Sequence, residues 1–175
     1  MLSRRRFLAV GFASVGLAAT TAACGSGSKR DAASNRATED FSARFATYQA
    51  ADEPNGDLSK VVWPKFVTDA DPEVQRLYEF QVTHGELTRY LPCFCGCGKD
   101  GVHRNNRDCY IKRVNADGTV IFDSMGPTCG ICLGVTRDAM RMLDEGKSPR
   151  EIRAVIDRTY ADKIDLSTRT PYPPV

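Results

Sequence analysis

The sequence predicts an α+β fold: a small, mainly helical domain with one β-hairpin. A cysteine loop lies between the first helices and the hairpin, and two helices close the chain. Three observations lead there. Asp71-Pro72 and Ser148-Pro149-Arg150-Glu151 are helix starts, each followed by apolar residues at three- and four-residue spacing. Asn115-Ala116-Asp117-Gly118 is a hairpin turn between two short β-prone runs. The stretch from Leu91 to Asp108 has no period and is full of Gly, Asn and Asp.

Taken in order, residues 25–60 are rich in Ser, Ala, Asp and Gly with scattered Phe41, Phe45 and Tyr48, and read as a spacer with a short helix at 38–51. Val61-Val62-Trp63-Pro64 is the first compact apolar cluster and marks the expected domain start. The helix opened by Asp71-Pro72 runs to about Thr83, burying Val74, Leu77, Tyr78 and Phe80. Gly85 interrupts it, and a short second helix reaches Tyr90. Residues 109–114 and 119–123 form the hairpin strands. A helix begins near Cys129, with Cys132, Val135, Ala139, Met142 and Leu143 on one face, and Gly146 is placed to cap its end. The last helix carries Ile152, Val155, Ile156 and Tyr160, and the Pro-rich end from Pro171 to Val175 should fray.

The N-terminus carries an address. Ser3-Arg4-Arg5-Arg6-Phe7-Leu8 matches the twin-arginine export pattern, with Arg4 and Arg5 as its signature pair. The weakly apolar stretch that follows is too short and too rich in Ala and Gly to span a bilayer. Thr21-Ala22-Ala23-Cys24-Gly25 resembles a bacterial lipobox, with Thr21 where Leu is usual, and makes Cys24 the lipidation site. The organisation expected is therefore a signal over 1–23, a lipid-anchored flexible tether over 24–60, a cysteine-rich metal-binding domain over 61–170 and a tail over 171–175. That places the protein on the outer face of the cytoplasmic membrane, with the membrane as partner through the lipid. Removing residues 1–23 takes away three arginines and no acid, so the net charge falls from +2 to −1, which gives no reason for a nucleic-acid partner.

Six further cysteines carry the chemistry: Cys93, Cys95 and Cys97 as C-x-C-x-C, then Cys109, then Cys129 and Cys132 as C-x-x-C. Gly96 and Gly98 flank Cys97 and allow the backbone to bend enough to converge sulfurs on one point. Cys129 stands at a helix start, where free N–H groups favour thiolate. His103 and Met125 are the other candidate ligands. His84 and the methionines 140 and 142 fit helix packing instead.

Metal ligation competes with two other readings. An even number of cysteines in an exported chain suggests disulfides, and six allow 15 pairings. Against this, C-x-C-x-C crowds three thiols into five residues, and the twin-arginine route carries proteins folded where thiols are reduced. Redox catalysis at Cys129 and Cys132 lacks the βαβ context of thioredoxin-like proteins. Leu133 stands where a c-type haem motif needs His, and no G-x-S-x-G is present, so the chain reads as a non-enzyme. Closely spaced thiolates with a nearby thioether suit a soft ion: Cu(I) first, zinc second, an iron–sulfur cluster a distant third. Storage or delivery of such an ion implies a protein that donates or accepts it.

Pro92-Cys93-Phe94-Cys95-Gly96-Cys97-Gly98 resembles the signature of the PCYCGC-motif family, mostly bacterial lipoproteins. The resemblance continues through Gly101 and His103, Asp108-Cys109-Tyr110, Cys129-Gly130-Ile131-Cys132 and Glu151-Ile152-Arg153. It covers roughly the last 110 residues. Phe94 replaces the usual Tyr, and Ser124-Met125-Gly126 stands where the family often has His before the C-x-x-C pair. The resemblance implies a metal-binding domain without naming its task.

Overall fold

The computed structural model describes residues 40–99 and 101–175. The export pair Arg4 and Arg5 and the lipidation candidate Cys24 lie outside them. The helices are α1 (Lys65–Thr68), α2 (Pro72–Thr83), α3 (Gly85–Thr88), α4 (Gly130–Asp144) and α5 (Pro149–Thr159), and the hairpin strands are β1 (Ile111–Val114) and β2 (Val120–Phe122). The α+β class, the hairpin and the two closing helices agree with the sequence reading. Among the described residues no helix is long and apolar enough to cross a membrane.

The helix starts follow from local hydrogen bonding. The Asp71 carboxylate accepts the Glu73 N–H at the head of α2, and Ser148 and Glu151 form a reciprocal capping box at the head of α5. The Cys129 sulfur accepts the Cys132 N–H at the head of α4. In the hairpin turn the Gly118 N–H donates to Asn115 O (2.9 Å), with Gly118 at φ +86°, a conformation that excludes most side chains. The strands pair antiparallel with an irregularity between Ile111 and Arg113.

Two apolar clusters share α2 and α4. One gathers Phe80 with Leu91, Phe94, Val135, Ala139, Met142, Ile152 and Ile156. The other gathers Leu77, Tyr78, Val82, Tyr110 and Ile111 with Cys93, Cys109 and Cys132. Each helix therefore turns one side to an ordinary aliphatic core and another to the sulfurs. His84 caps the end of α2 and stacks on Phe80 with ring centroids 4.2 Å apart, in keeping with its packing role.

Three expectations are corrected. Residues 40–60 are not a free tether: Phe41 and Phe45 are buried in the first cluster, and Glu53 is buried in an ion-pair network. The apolar surface offered by α5 and the segment after it accounts for that docking. The helix expected over 38–51 is, among the described residues, only a short 3₁₀ turn at Ser42–Phe45. Pro171 and Pro173 are buried rather than frayed. Arg150 donates to Pro173 O (3.1 Å), and the fully buried Arg153 guanidinium donates to Pro171 O (2.6 Å) and Tyr90 O (2.7 Å) and pairs with both Asp157 oxygens at 2.9 and 3.0 Å. The Arg153 guanidinium also lies 4.5 Å from the Tyr172 ring centroid, and the Tyr172 hydroxyl donates to Asp157.

A buried charge that loses its partner is costly, whereas an exposed pair contributes little. Asp157→Ala should lower stability by about 3–5 kcal/mol in denaturant titrations, because Arg153 keeps its charge inside the core. Glu73→Ala, which removes the exposed partner of Arg137, should leave the midpoint nearly unchanged.

Candidate metal centre

The three cysteines of C-x-C-x-C are two residues apart, and in extended backbone such residues share a side. Phe94 takes the opposite side, buried and stacked on Tyr160 with centroids 5.2 Å apart. Gly96, at φ +96°, then curls the chain so the sulfurs converge: Cys93 to Cys95 is 3.0 Å and Cys95 to Cys97 is 3.1 Å. The loop is pinned by its ends. Cys93 N–H donates to Thr168 Oγ1 and Thr168 N–H donates to Cys93 O, both at 2.9 Å. Gly98 lies so close to Thr168 that an added Cβ would come within 2.7 Å of its side chain.

A 3₁₀ turn at Arg107–Cys109 delivers Cys109, the residue expected to open the first strand, which instead begins at Ile111. The segment before it is held by charge. Arg107 is fully buried, donating to Glu53 Oε2 (3.3 Å) and Pro54 O (2.8 Å), while Arg104 grips both Asp108 oxygens. Asn106 ties the turn to α4: its Oδ1 accepts from Thr136 (2.7 Å) and Gln81 (3.1 Å), and its Nδ2 donates to Cys132 O (3.3 Å). The head of α4 supplies Cys132 and, at its rim, Cys129. The Cys109 and Cys132 sulfurs are 3.0 Å apart, as are those of Cys129 and Cys132, while Cys93 is 3.8 Å from both Cys109 and Cys132.

All six cysteines are free, so the disulfide reading does not describe this structure. Cys93, Cys109 and Cys132 are buried, whereas Cys95, Cys97 and Cys129 are partly exposed, giving the cluster a closed floor and an open side. His103 is only 5 % exposed, not on a surface loop, and its Nδ1 is 3.2 Å from the Cys109 sulfur. Its Nε2 is buried without a hydrogen-bond partner, an arrangement that carries a cost unless something else engages the ring. Met125 is 39 % exposed in the turn before Gly126.

Two groups have donor atoms mutually within 4.8 Å: Cys93, Cys95, Cys109 and Cys132, and Cys93, Cys97 and His103. Four thiolates bound to one ion at the usual zinc–sulfur distance form a tetrahedron with edges of about 3.8 Å. Three edges of the first group fit at 3.8, 3.8 and 3.9 Å, and two are tighter at 3.0 Å. These residues can hold a metal ion.

The sulfurs also perturb one another. Hydrogen bonds from the Cys109 and Cys132 thiols hold Cys93 far below the ordinary thiol range. Cys95 is lowered to about 5, chiefly by Cys109, and Cys129 is lowered by Cys132. Cys132 is pushed up by Cys109 and Cys129, and Cys97 to about 12 by burial and by Cys95. Contact with Cys93 raises His103. Cys93, Cys95 and Cys129 are thus the sulfurs that give up a proton most readily, while Cys97, Cys109 and Cys132 hold theirs, in places where a soft cation could stand instead.

Sequence reasoning missed Thr168, Asn106, Gln81 and Thr136, which position ligands without being ligands. Polar residues on otherwise apolar helix faces, Gln81 beside Phe80 and Thr136 beside Val135, were the available signal; Thr168 had none.

The family described as protein of unknown function with PCYCGC motif matches residues 14–173, and the chain belongs to it. No curated protein and no solved structure matches the chain.

Alkylation of the metal-free protein under anaerobic conditions, resolved by residue, checks this electrostatic pattern. Because Cys95 titrates near 5, its rate should already be maximal at neutral pH and fall only in acid. Cys97, near 12, should react about tenfold faster for each pH unit above neutrality. Superimposable pH profiles for the two would contradict it.

Proposed function

We propose that this protein is an exported, membrane-anchored metal-binding protein whose cysteine cluster takes up a soft ion, Cu(I) foremost, for storage or delivery outside the cytoplasm. The observation that carries the reading is the convergence of six unbridged sulfurs and one buried imidazole. Thiolate-rich sites select Cu(I), zinc or iron–sulfur clusters. Cu(I) is favoured because it is satisfied by two or three soft donors, and the sulfurs crowd more tightly than a single zinc tetrahedron requires. The partly exposed Cys95, Cys97 and Cys129 suit exchange, since an incoming thiolate from a donor or acceptor protein can reach the ion from that side. Export follows from Arg4 and Arg5, and anchoring on the outer face of the membrane from lipid on Cys24.

Zinc is the second reading, favoured by the four-sulfur group of Cys93, Cys95, Cys109 and Cys132. Anaerobic competition of Cu(I) and Zn(II) for the reduced protein separates the two. Preferential Cu(I) retention against a chromophoric Cu(I) chelator is expected, with loss of binding in Cys109→Ser. Retention of zinc in the presence of equimolar Cu(I) would reverse the assignment. Membrane fractionation checks the anchor: wild type should sediment with membranes and Cys24→Ala should not. Met125→Leu should leave Cu(I) retention nearly unchanged, as the exposure of that thioether implies.

A further inference from the structure

The donors outnumber what one ion can use. An ion of the Cu(I) or zinc class takes up to four ligands in such a site, and the group Cys93, Cys95, Cys109 and Cys132 fills that number with sulfur alone. Three donors remain. Cys129 touches Cys132 (3.0 Å) and accepts its N–H, so it has a place beside the first ion. Cys97 and His103 do not belong to that group. They form a second group whose single member in common with the first is Cys93.

We infer that the cluster is binuclear: two metal ions share the Cys93 thiolate, one completed by Cys95, Cys109 and Cys132 and the other by Cys97 and His103. This rests on the metal-binding reading above and adds its stoichiometry. The shared residue is well chosen. A thiolate has lone pairs for two ions, and Cys93 is buried at the centre, with its backbone fixed on both sides by Thr168. His103 gains a role that its burial otherwise lacks, because its Nε2 has no partner. Charge argues in the same direction. Gathering several thiolates in one partly buried place is opposed by their repulsion, and a second cation offsets charge that a single ion leaves in excess.

Each ion has one partly exposed cysteine among its ligands, Cys95 for the first and Cys97 for the second, so both face the open side of the cluster.

The test uses the full chain with Cys24→Ser, so that only the cluster contributes thiols, loaded anaerobically with Cd(II) as a spectroscopic probe for thiolate sites. Native mass spectrometry should count two ions per chain. Cys97→Ser and His103→Ala should each hold one, and because both replacements spare the four-sulfur group, the remaining ion should keep its thiolate-to-cadmium absorption. Cadmium-113 NMR of the unsubstituted cluster should give two signals split by coupling through the shared sulfur. One ion in both the parent and the Cys97→Ser protein would overturn the binuclear inference and leave metal binding standing. Two signals without mutual coupling would overturn the bridge. No bound ion at all would overturn both this inference and the reading beneath it.

Discussion

Mutual repulsion among sulfurs is the constraint around which this protein is organised. Six cysteines whose neighbouring sulfurs lie 3.0–3.9 Å apart cannot all be thiolates in a partly dehydrated place without a cation or protons between them. Something outside the cluster must hold the backbone against that repulsion. The structure answers with charged and polar groups: buried Arg107 against buried Glu53, exposed Arg104 against buried Asp108, and buried Asn106 between Gln81, Thr136 and the Cys132 carbonyl. All three hold the segment that delivers Cys109, and Asn106 ties it to the backbone of Cys132.

This division of labour explains the two-sided core. Aliphatic and aromatic residues between α2, α4 and α5 supply ordinary hydrophobic burial, leaving the opposite sides of α2 and α4 free for the sulfur-bearing cluster. Phe94 joins the two. It sits between Cys93 and Cys95 in sequence yet packs into the aliphatic side, so the loop is anchored through the residue that is not a ligand.

What was legible in the sequence was what depends on neighbouring residues. Asp71-Pro72 and the Ser148 to Glu151 capping box act within one helical turn, and Gly118 acts within one hairpin, so each announced itself. The cysteine spacing was equally plain. The docking of Phe41, Phe45 and Tyr172 was not, because sparse apolar residues in polar or Pro-rich stretches carry no period and their partners lie more than a hundred residues away for the first two. His103 was half legible: proximity to the cysteines suggested a ligand, while a Gly- and Asn-rich loop suggested solvent. The asparagines of that loop are buried donors and acceptors, a use of Asn that composition does not distinguish from a surface turn.

The segment around Thr168 has a consequence in time as well as in space. The Cys93 backbone is held by a residue 75 positions later, and Arg153 is enclosed only when Pro171 and Tyr172 arrive. A nascent chain still threaded through the ribosome has made every cysteine long before it can close the loop that aligns them. The cluster is therefore assembled only once Thr168 has been made and has left the ribosome. Until then its thiols are spread along an open polypeptide, with no geometry to distinguish one ion from another.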